Sequence, residues 1–421
     1  MNPGVAKEGQ PNYTAIKVLT FVMFMMFAMT TDSVGVIIPE VIRQFHLSMT
    51  AASAFQYATM TGIALAGFFL GSLADRYGRK PTIIAGLSLF ALDSYLFAVG
   101  DSFLFFLGLL AISGLAIGVF KTGALALVGD ISRSNTEHTS TMNLVEGFFG
   151  IGAIIGPALL ARLLHAGVPW KWLYVIAGAM CTVLVAVALT VKYPTSMKPG
   201  QEKMDLRRAF ATMKNGFVWL FSLGAFLYVA AEAAVYVWMP TLLAGYRGRA
   251  VWVAAYSLSI FFLCRAGGRF LGAWILARVR WTIALLLFSA AILACFAGTA
   301  LDGPRAAVYL LPLSGLFMSV VYPTINSKGI SCFPKSEHGA VAGVILFFTC
   351  ASAAIAPLAM GAVSDVFGGA QYGFVLATGF AAVLFLFTLL NWIYDPTRLL
   401  LAKLDHTEYE TQLQEAPGGS S

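Results

Sequence analysis

Apolar runs of about 20 residues, each closed by a short polar break, recur from residue 18 to residue 394. Reading the runs between breaks predicts twelve helices, at 18–39, 50–72, 82–100, 102–127, 141–165, 171–192, 216–243, 251–276, 282–300, 306–330, 340–364 and 371–394. At about 1.5 Å per residue, each is long enough to cross the roughly 30 Å hydrocarbon layer of a bilayer. Strands do not fit, because a membrane barrel needs segments of about ten residues that alternate in polarity. Here Thr282 to Thr299 and Phe374 to Trp392 run without a charge. Val18 to Ile38 is too long for a signal-peptide core and lacks a small-residue cleavage site after it, so the first helix is expected to stay. The pattern predicts an all-α membrane protein.

The polar breaks then divide the chain. An N-terminal bundle of six helices is expected over 1–192, a linker over 193–215, a C-terminal bundle of six over 216–395 and a polar tail over 396–421. The linker holds Pro194, Pro199, Gly200 and the basic residues Lys203, Arg207, Arg208 and Lys214. Its Asp205 to Phe210 stretch reads either as a short helix on an anionic leaflet or as a solvated tether. A cytoplasmic N-terminus puts 17 of the 27 Lys and Arg inside and 6 outside, with 4 in the spans. The positive-inside rule selects that orientation, with both termini cytoplasmic in a multi-pass inner-membrane protein.

Composition excludes several classes. With 59% hydrophobic and 11% charged residues, a water-soluble fold is ruled out, and the net charge of +7 marks cytoplasmic loops rather than a nucleic-acid partner. Cys181, Cys264, Cys295, Cys332 and Cys350 show no CxxC spacing and read as packing residues. His46, His138, His165, His338 and His406 lie at loops or helix ends without HExxH-like spacing, and no GKT or GKS loop is present. No enzyme, metal, cofactor or use of ATP is therefore expected.

An internal repeat runs through the sequence. Pro39 recurs as Pro240, Gly67 and Gly71 as Gly268 and Gly272, and Ser113-Gly114-Leu115 as Ser314-Gly315-Leu316, all at an offset of 201, with Pro157 recurring as Pro357 at 200. Each copy holds six helices, an even number, so both have one orientation and are related by a pseudo-two-fold axis along the membrane normal. That is the symmetry of a carrier that rocks about one path, with a monomer as the default state, whereas a channel is more usually an oligomer around a pore.

Residues 71–80, GSLADRYGRK, resemble the cytoplasmic signature of the major facilitator superfamily between its second and third helices, matched at Gly71, Asp75, Arg76, Gly78, Arg79 and Lys80. The resemblance implies the major facilitator fold and a cytoplasmic gate, in which Asp75 caps a neighbouring helix or pairs with Arg79. The second-half copy, ALARVRW, lacks the acidic residue. Three further stretches look like the fucose, galactose and glucose:proton symporter group: NLVEGFFGIGAIIGP at 143–157, FLYVAAEAAVYVWMPTLL at 226–243 and GLFMSVVYPTINS at 315–327. Gly152 to Pro157 also resembles the fifth-helix motif of drug/proton antiporters, though Leu159-Leu160 stands where a glycine pair is usual. One departure bears on mechanism. Where the sugar group tends to have an acid in the fourth helix this chain has Lys121, and where the group is neutral or histidine in the fifth it has Glu146.

Charges inside a bilayer are costly enough to mark candidate sites for solute or coupling ion. Asp32 lies seven residues before Pro39 and Glu232 eight before Pro240, so the two sit at nearly equal depth in the two halves. Asp32, Lys121, Glu232 and Lys328 fall one in each of the first, fourth, seventh and tenth helices, which line the transport path in the superfamily. Lys328 is near a helix end and can snorkel. Arg265 and Arg269, four apart on one face, suit an anion clamp, with a structural role for Arg269 as the alternative, and Asp93 reads as a structural partner. Gln56, Tyr57, Asn143, Trp238, Tyr322 and Asn326 have the rings and amides that recognise sugars, while Tyr and Trp also populate interfacial belts.

The expected function is secondary active transport of a sugar, sugar derivative or sugar acid by alternating access, with a proton, or alternatively sodium, as coupling ion. Proton-driven export of drugs or amphipaths, and transport of another organic anion, are the competing readings. A sensor without transport activity would need a signalling domain that these short loops do not provide.

Overall fold

The computed structural model describes residues 12–70, 73–132, 135–194, 213–334 and 337–405. The linker helix proposed near Asp205 and the end of the tail lie outside the described residues. Among those described, every regular element is helical, and twelve spans follow one another. Ten are long and apolar enough to cross a membrane by length and composition. The other two are the second, Met49–Ala52 continued by Ala54–Leu70, and the third, Arg79–Leu96. A short helix, Leu73–Tyr77, precedes the third span, and another, Arg398–Asp405, follows the twelfth.

Contacts group the chain into two units. Unit 1 comprises Met1–Ile37 and Phe55–Gln201; unit 2 comprises Ile38–Ala54 and Glu202–Ser421. In unit 1 the first helix packs on the fifth and the third on the fourth and sixth. In unit 2 the seventh packs on the eleventh, the eighth on the tenth, and the ninth on the tenth and twelfth. Lipid is as apolar as leucine, so such helices are held by close van der Waals fit and buried polar contacts rather than by escape from water. Missing side chains let backbones meet at the repeated glycines. A Cβ on Gly114 would fall 2.3 Å from the Thr59 carbonyl oxygen, and one on Gly315 would fall 2.3 Å from that of Phe261.

Three helices of the repeat are interrupted, each where polar side chains or proline compete for the backbone bonds. The first is Tyr13–Thr31 and then Val34–Phe45, with Asp32 and Ser33 between. Thr30 and Thr31 donate to the Phe27 carbonyl at 3.0 and 3.2 Å, and Ser33 donates to that of Met29 at 2.6 Å. The seventh passes from Gly216–Ala233 through a π-helical turn, Ala234–Trp238, into Met239–Leu243, which begins beside Pro240. The tenth breaks between Met318 and Val321, just before Pro323, whose nitrogen cannot donate to the preceding turn.

Candidate functional site

Gly78, at φ 93°, turns the chain into the third helix in a conformation that disfavours a side chain, which explains the glycine in the signature. Arg79 then points inward. Its Nε donates to Asp130 of the fourth helix at 2.8 Å, and both side chains are under 10% exposed, at 7% and 8%. Lys80 caps the sixth helix, donating to the carbonyls of Leu189 and Val191 at 2.9 and 2.8 Å, with Nζ 5.4 Å from the centre of the Tyr193 ring. Burial pushes the Tyr193 phenol up to about 12, so the ring stays neutral beneath the ammonium. Arg76 is exposed and lies over Tyr77. Gly71 and the Asp75 side chain lie outside the described residues, so the expected Asp75 contact is not among those seen; the partner seen for Arg79 is Asp130.

In unit 1, Asp32 ends the first stretch of the first helix, half-buried, and its carboxylate accepts from the Thr31 hydroxyl at 2.9 Å. Lys121 in the fourth helix holds its ammonium 5.3 Å from the ring centre of Phe149 in the fifth. Glu146 and Asn143 are exposed one helical turn from each other on the fifth helix. Gln56 is only 1% exposed, yet neither atom of its amide has a hydrogen-bond partner; Tyr57 beside it is half-buried. Asp93 accepts from Ser113 of the fourth helix at 2.5 Å inside the bundle, in keeping with a structural role.

In unit 2 one carboxylate gathers the chemistry. Glu232, 9% exposed in its side chain, is met at Oε1 by Arg265 of the eighth helix at 2.7 Å. The hydroxyl of Tyr228, one turn earlier, lies 2.8 Å from the same oxygen and 2.9 Å from the Met318 carbonyl at the break in the tenth helix. A carbonyl in that place lacks an intrahelical partner, which is why it can accept from a side chain. Tyr322 stacks beside Tyr228 with ring centres 6.1 Å apart, and Asn326 and Lys328 follow half-buried on the same helix. Arg269 is exposed. Trp238 is 2% exposed and its indole donates to the Pro357 carbonyl at 3.1 Å, so the ring serves packing of the seventh helix on the eleventh rather than presenting a face for stacking.

Sequence reasoning missed Tyr228 and Asp130. Tyr228 carried a signal, its i, i+4 spacing to Glu232 on one helical face. Asp130 fell beyond the predicted end of the fourth helix and read as a loop residue; the helix in fact runs Phe103–Ile131.

The Major Facilitator Superfamily profile matches residues 19–357. A glucose/galactose transporter of Brucella abortus biovar 1 (strain 9-941) is 26% identical over 380 residues, 86% of this chain and 90% of that protein. The L-fucose-proton symporter of Escherichia coli (strain K12) is 24% identical over 410 residues, 87% of this chain and 90% of that one. The multidrug resistance protein MdtL of Shewanella oneidensis is 29% identical over 201 residues, 45% of this chain and 50% of its own. Among solved structures, a bacterial homolog of the human lysosomal transporter Spinster, in an inward-facing and occupied conformation, gives a TM-score of 0.75 at 15% identity, covering 91% of this chain and 97% of that one. The fold, the signature loop and a profile match across most of the sequence agree: this chain is a member of the major facilitator superfamily.

Proposed function

We propose that this transporter moves a small polar solute, a sugar, sugar derivative or sugar acid, across the inner membrane by alternating access, with a proton as the coupling ion. The observation that carries the reading is the Glu232 site: a carboxylate inside a membrane span, beside a π turn and in contact with both a guanidinium and a phenol. A group so placed changes partners when it gains or loses a proton, which is what coupling requires. Relatives named for glucose, galactose and fucose match over both halves of the chain, which supports the sugar class. Asp32 and Glu146 are the other carboxylates available to carry a proton, and the buried, unsatisfied amide of Gln56 is suited to bonding solute hydroxyls. Tyr57, Asn143, Tyr322 and Asn326, none of them fully buried, would complete recognition.

Weakly buffered vesicles containing the protein test the reading directly. External alkalinisation is expected when a sugar or sugar acid is added, and it should be lost in Asp32→Asn, Lys121→Ala or Glu146→Gln. Unimpaired accumulation with Asp32, Glu146 and Glu232 all neutralised would sink it. The similarity to a multidrug resistance protein and the Gly152 to Pro157 motif favour a second reading, proton-driven export, which proton movement with cationic dyes alone would select. In the structure those glycines seat the fifth helix on the first, because a Cβ on Gly152 or Gly156 would fall 2.0 or 2.2 Å from a carbonyl oxygen of Met25 or Met29.

A further inference from the structure

Residues 38–54 belong to the first and second helices by sequence but to unit 2 by contact, while the stretches on either side, up to Ile37 and from Phe55, belong to unit 1. Both crossings fall at interruptions. At the first, the helix is broken at Asp32 and Ser33, and Pro39 follows, whose nitrogen has no hydrogen to give the Gly35 carbonyl. At the second, Ser53 separates Met49–Ala52 from Ala54–Leu70, and its hydroxyl donates to the Thr50 carbonyl at 2.7 Å. The second copy of the repeat is interrupted in the same two places. There a π turn precedes Met239 and Pro240, and Tyr256 separates Val251–Ala255 from Ser257–Leu276.

The hairpin between the crossings is fastened to the eleventh helix. Asp365 accepts from the backbone N–H groups of Met49 and Thr50 at 2.7 and 2.8 Å and from the Thr50 hydroxyl at 2.5 Å, so a carboxylate takes donors that a helix start leaves without an intrahelical partner. One turn before it, a Cβ on Gly361 would fall 2.9 Å from the Met49 carbonyl oxygen, which brings the two backbones together. Asp365 is exposed and Thr50 half-buried, so water can take over each group when the fastening parts. The hairpin also has bonds of its own. Ser48 caps Ala51 at 3.1 Å, and the N–H groups of Ala52 and Ser53 bond to the carbonyls of Ser48 and Met49 at 3.0 Å.

We propose that residues 38–53 are a strap, which swings off the eleventh helix as one piece by turning at Asp32 to Pro39 and at Ser53, and that this release is a step of the transport cycle. The link to transport rests on the reading of the chain as a solute transporter; the hinges and the fastening do not. A strap of this kind leaves the inner part of the first helix, Tyr13–Thr31, where it is while the outer part moves.

The test uses the full-length protein in lipid nanodiscs, with its five native cysteines replaced by serine and spin labels on pairs of introduced cysteines. Arg43 on the strap, Val18 on the inner part of the first helix, Val366 beside Asp365 and Leu301 on the ninth helix are all exposed. In Asp365→Ala the 43–366 pair should gain a second, longer distance, its population raised about tenfold or more by the loss of three hydrogen bonds. Asp365→Asn, which keeps one acceptor oxygen, should fall between. The 18–43 pair should gain a second distance in the same variants, and the 301–366 pair, inside unit 2, should stay as in wild type. An unchanged 43–366 distance overturns the fastening, and an unchanged 18–43 distance beside a longer 43–366 one makes the first helix a single rod and overturns the hinge. For transport, Thr50→Cys with Asp365→Cys is closed by oxidation in weakly buffered vesicles, with D-glucose and L-fucose as probes. Solute-driven alkalinisation should stop on oxidation and return on reduction; movement that continues with the pair closed overturns the role in the cycle. If wild-type protein moves protons with no solute, the transport reading fails, and the distance pairs still decide the strap.

Discussion

Shifted by 201 residues, Phe27 of unit 1 falls on Tyr228 of unit 2, Ala64 on Arg265 and Arg79 on Arg280. Phe27 is fully buried against Phe90 and Phe120, with ring centres 4.8 and 4.7 Å away, and has no hydroxyl to place. Its counterpart Tyr228 joins a charged pair to a broken helix. In the loops after the second and eighth helices the asymmetry is reversed. Arg79 is buried on Asp130, whereas Arg280 is 57% exposed and pairs with Asp395 at the end of the twelfth helix. Gly114 and Gly315 are alike in one respect, that a Cβ on either would fall 2.3 Å from a carbonyl oxygen of the neighbouring helix. Duplication has kept the backbone scaffold, which tolerates no added atom, while polar chemistry has settled in one copy at each level.

The scaffold half of that comparison is the most severe to break. Gly114→Leu and Gly315→Leu should each abolish a monodisperse peak in size-exclusion chromatography, since the new side chain meets backbone rather than a movable group; tolerance of either one would mean that the two contacts are not equivalent. Next come the loop arginines. Arg79→Ala removes a buried guanidinium from the Asp130 carboxylate and should cost about 3–5 kcal/mol in reversible unfolding, while Arg280→Ala should cost about 0–1 kcal/mol, since its guanidinium is 57% exposed. Equal losses would erase the contrast. Adding the missing hydroxyl, Phe27→Tyr, places a phenol in an aromatic cluster and should cost about 1–3 kcal/mol by the same measurement. The smallest effect belongs to Trp238→Phe, which removes the single bond to Pro357 and should cost about 1 kcal/mol. The residue on which Trp238 falls in unit 1, Ile37, has no such bond to lose.

The spans were legible because a twenty-residue apolar run has few other uses, and most predicted boundaries lie close to those observed. The first helix was the exception. It runs Tyr13–Phe45, because polar residues at both ends continue the helix beyond the apolar run, and its interruption at Asp32 and Ser33 depends on hydroxyls capturing carbonyls. Intramembrane charges announced themselves by cost, so Glu232 and Arg265 were both in view, yet nothing in a linear sequence pairs residues on different helices. Asp130 shows the same limit: its partner Arg79 is 51 positions away, and only the packing of the third helix on the fourth joins them. Trp238 was open to misreading, since a tryptophan that packs a helix and one that stacks on a sugar look alike in one dimension.

Asp365 accepts the backbone N–H groups of Met49 and Thr50 at 2.7 and 2.8 Å and the Thr50 hydroxyl at 2.5 Å. These partners are 316 and 315 positions apart in the sequence. A ribosome adding about 5–20 residues per second needs roughly 15–60 s to cover that distance. Throughout that interval the start of the second helix is held by local bonds, among them the Ser48 side chain capping Ala51 at 3.1 Å and the backbone bonds from Ala52 to Ser48 and from Ser53 to Met49. The nascent protein therefore carries an early-made turn whose last three hydrogen bonds await the synthesis of residue 365, so a chain stalled before that point would display the turn unfinished.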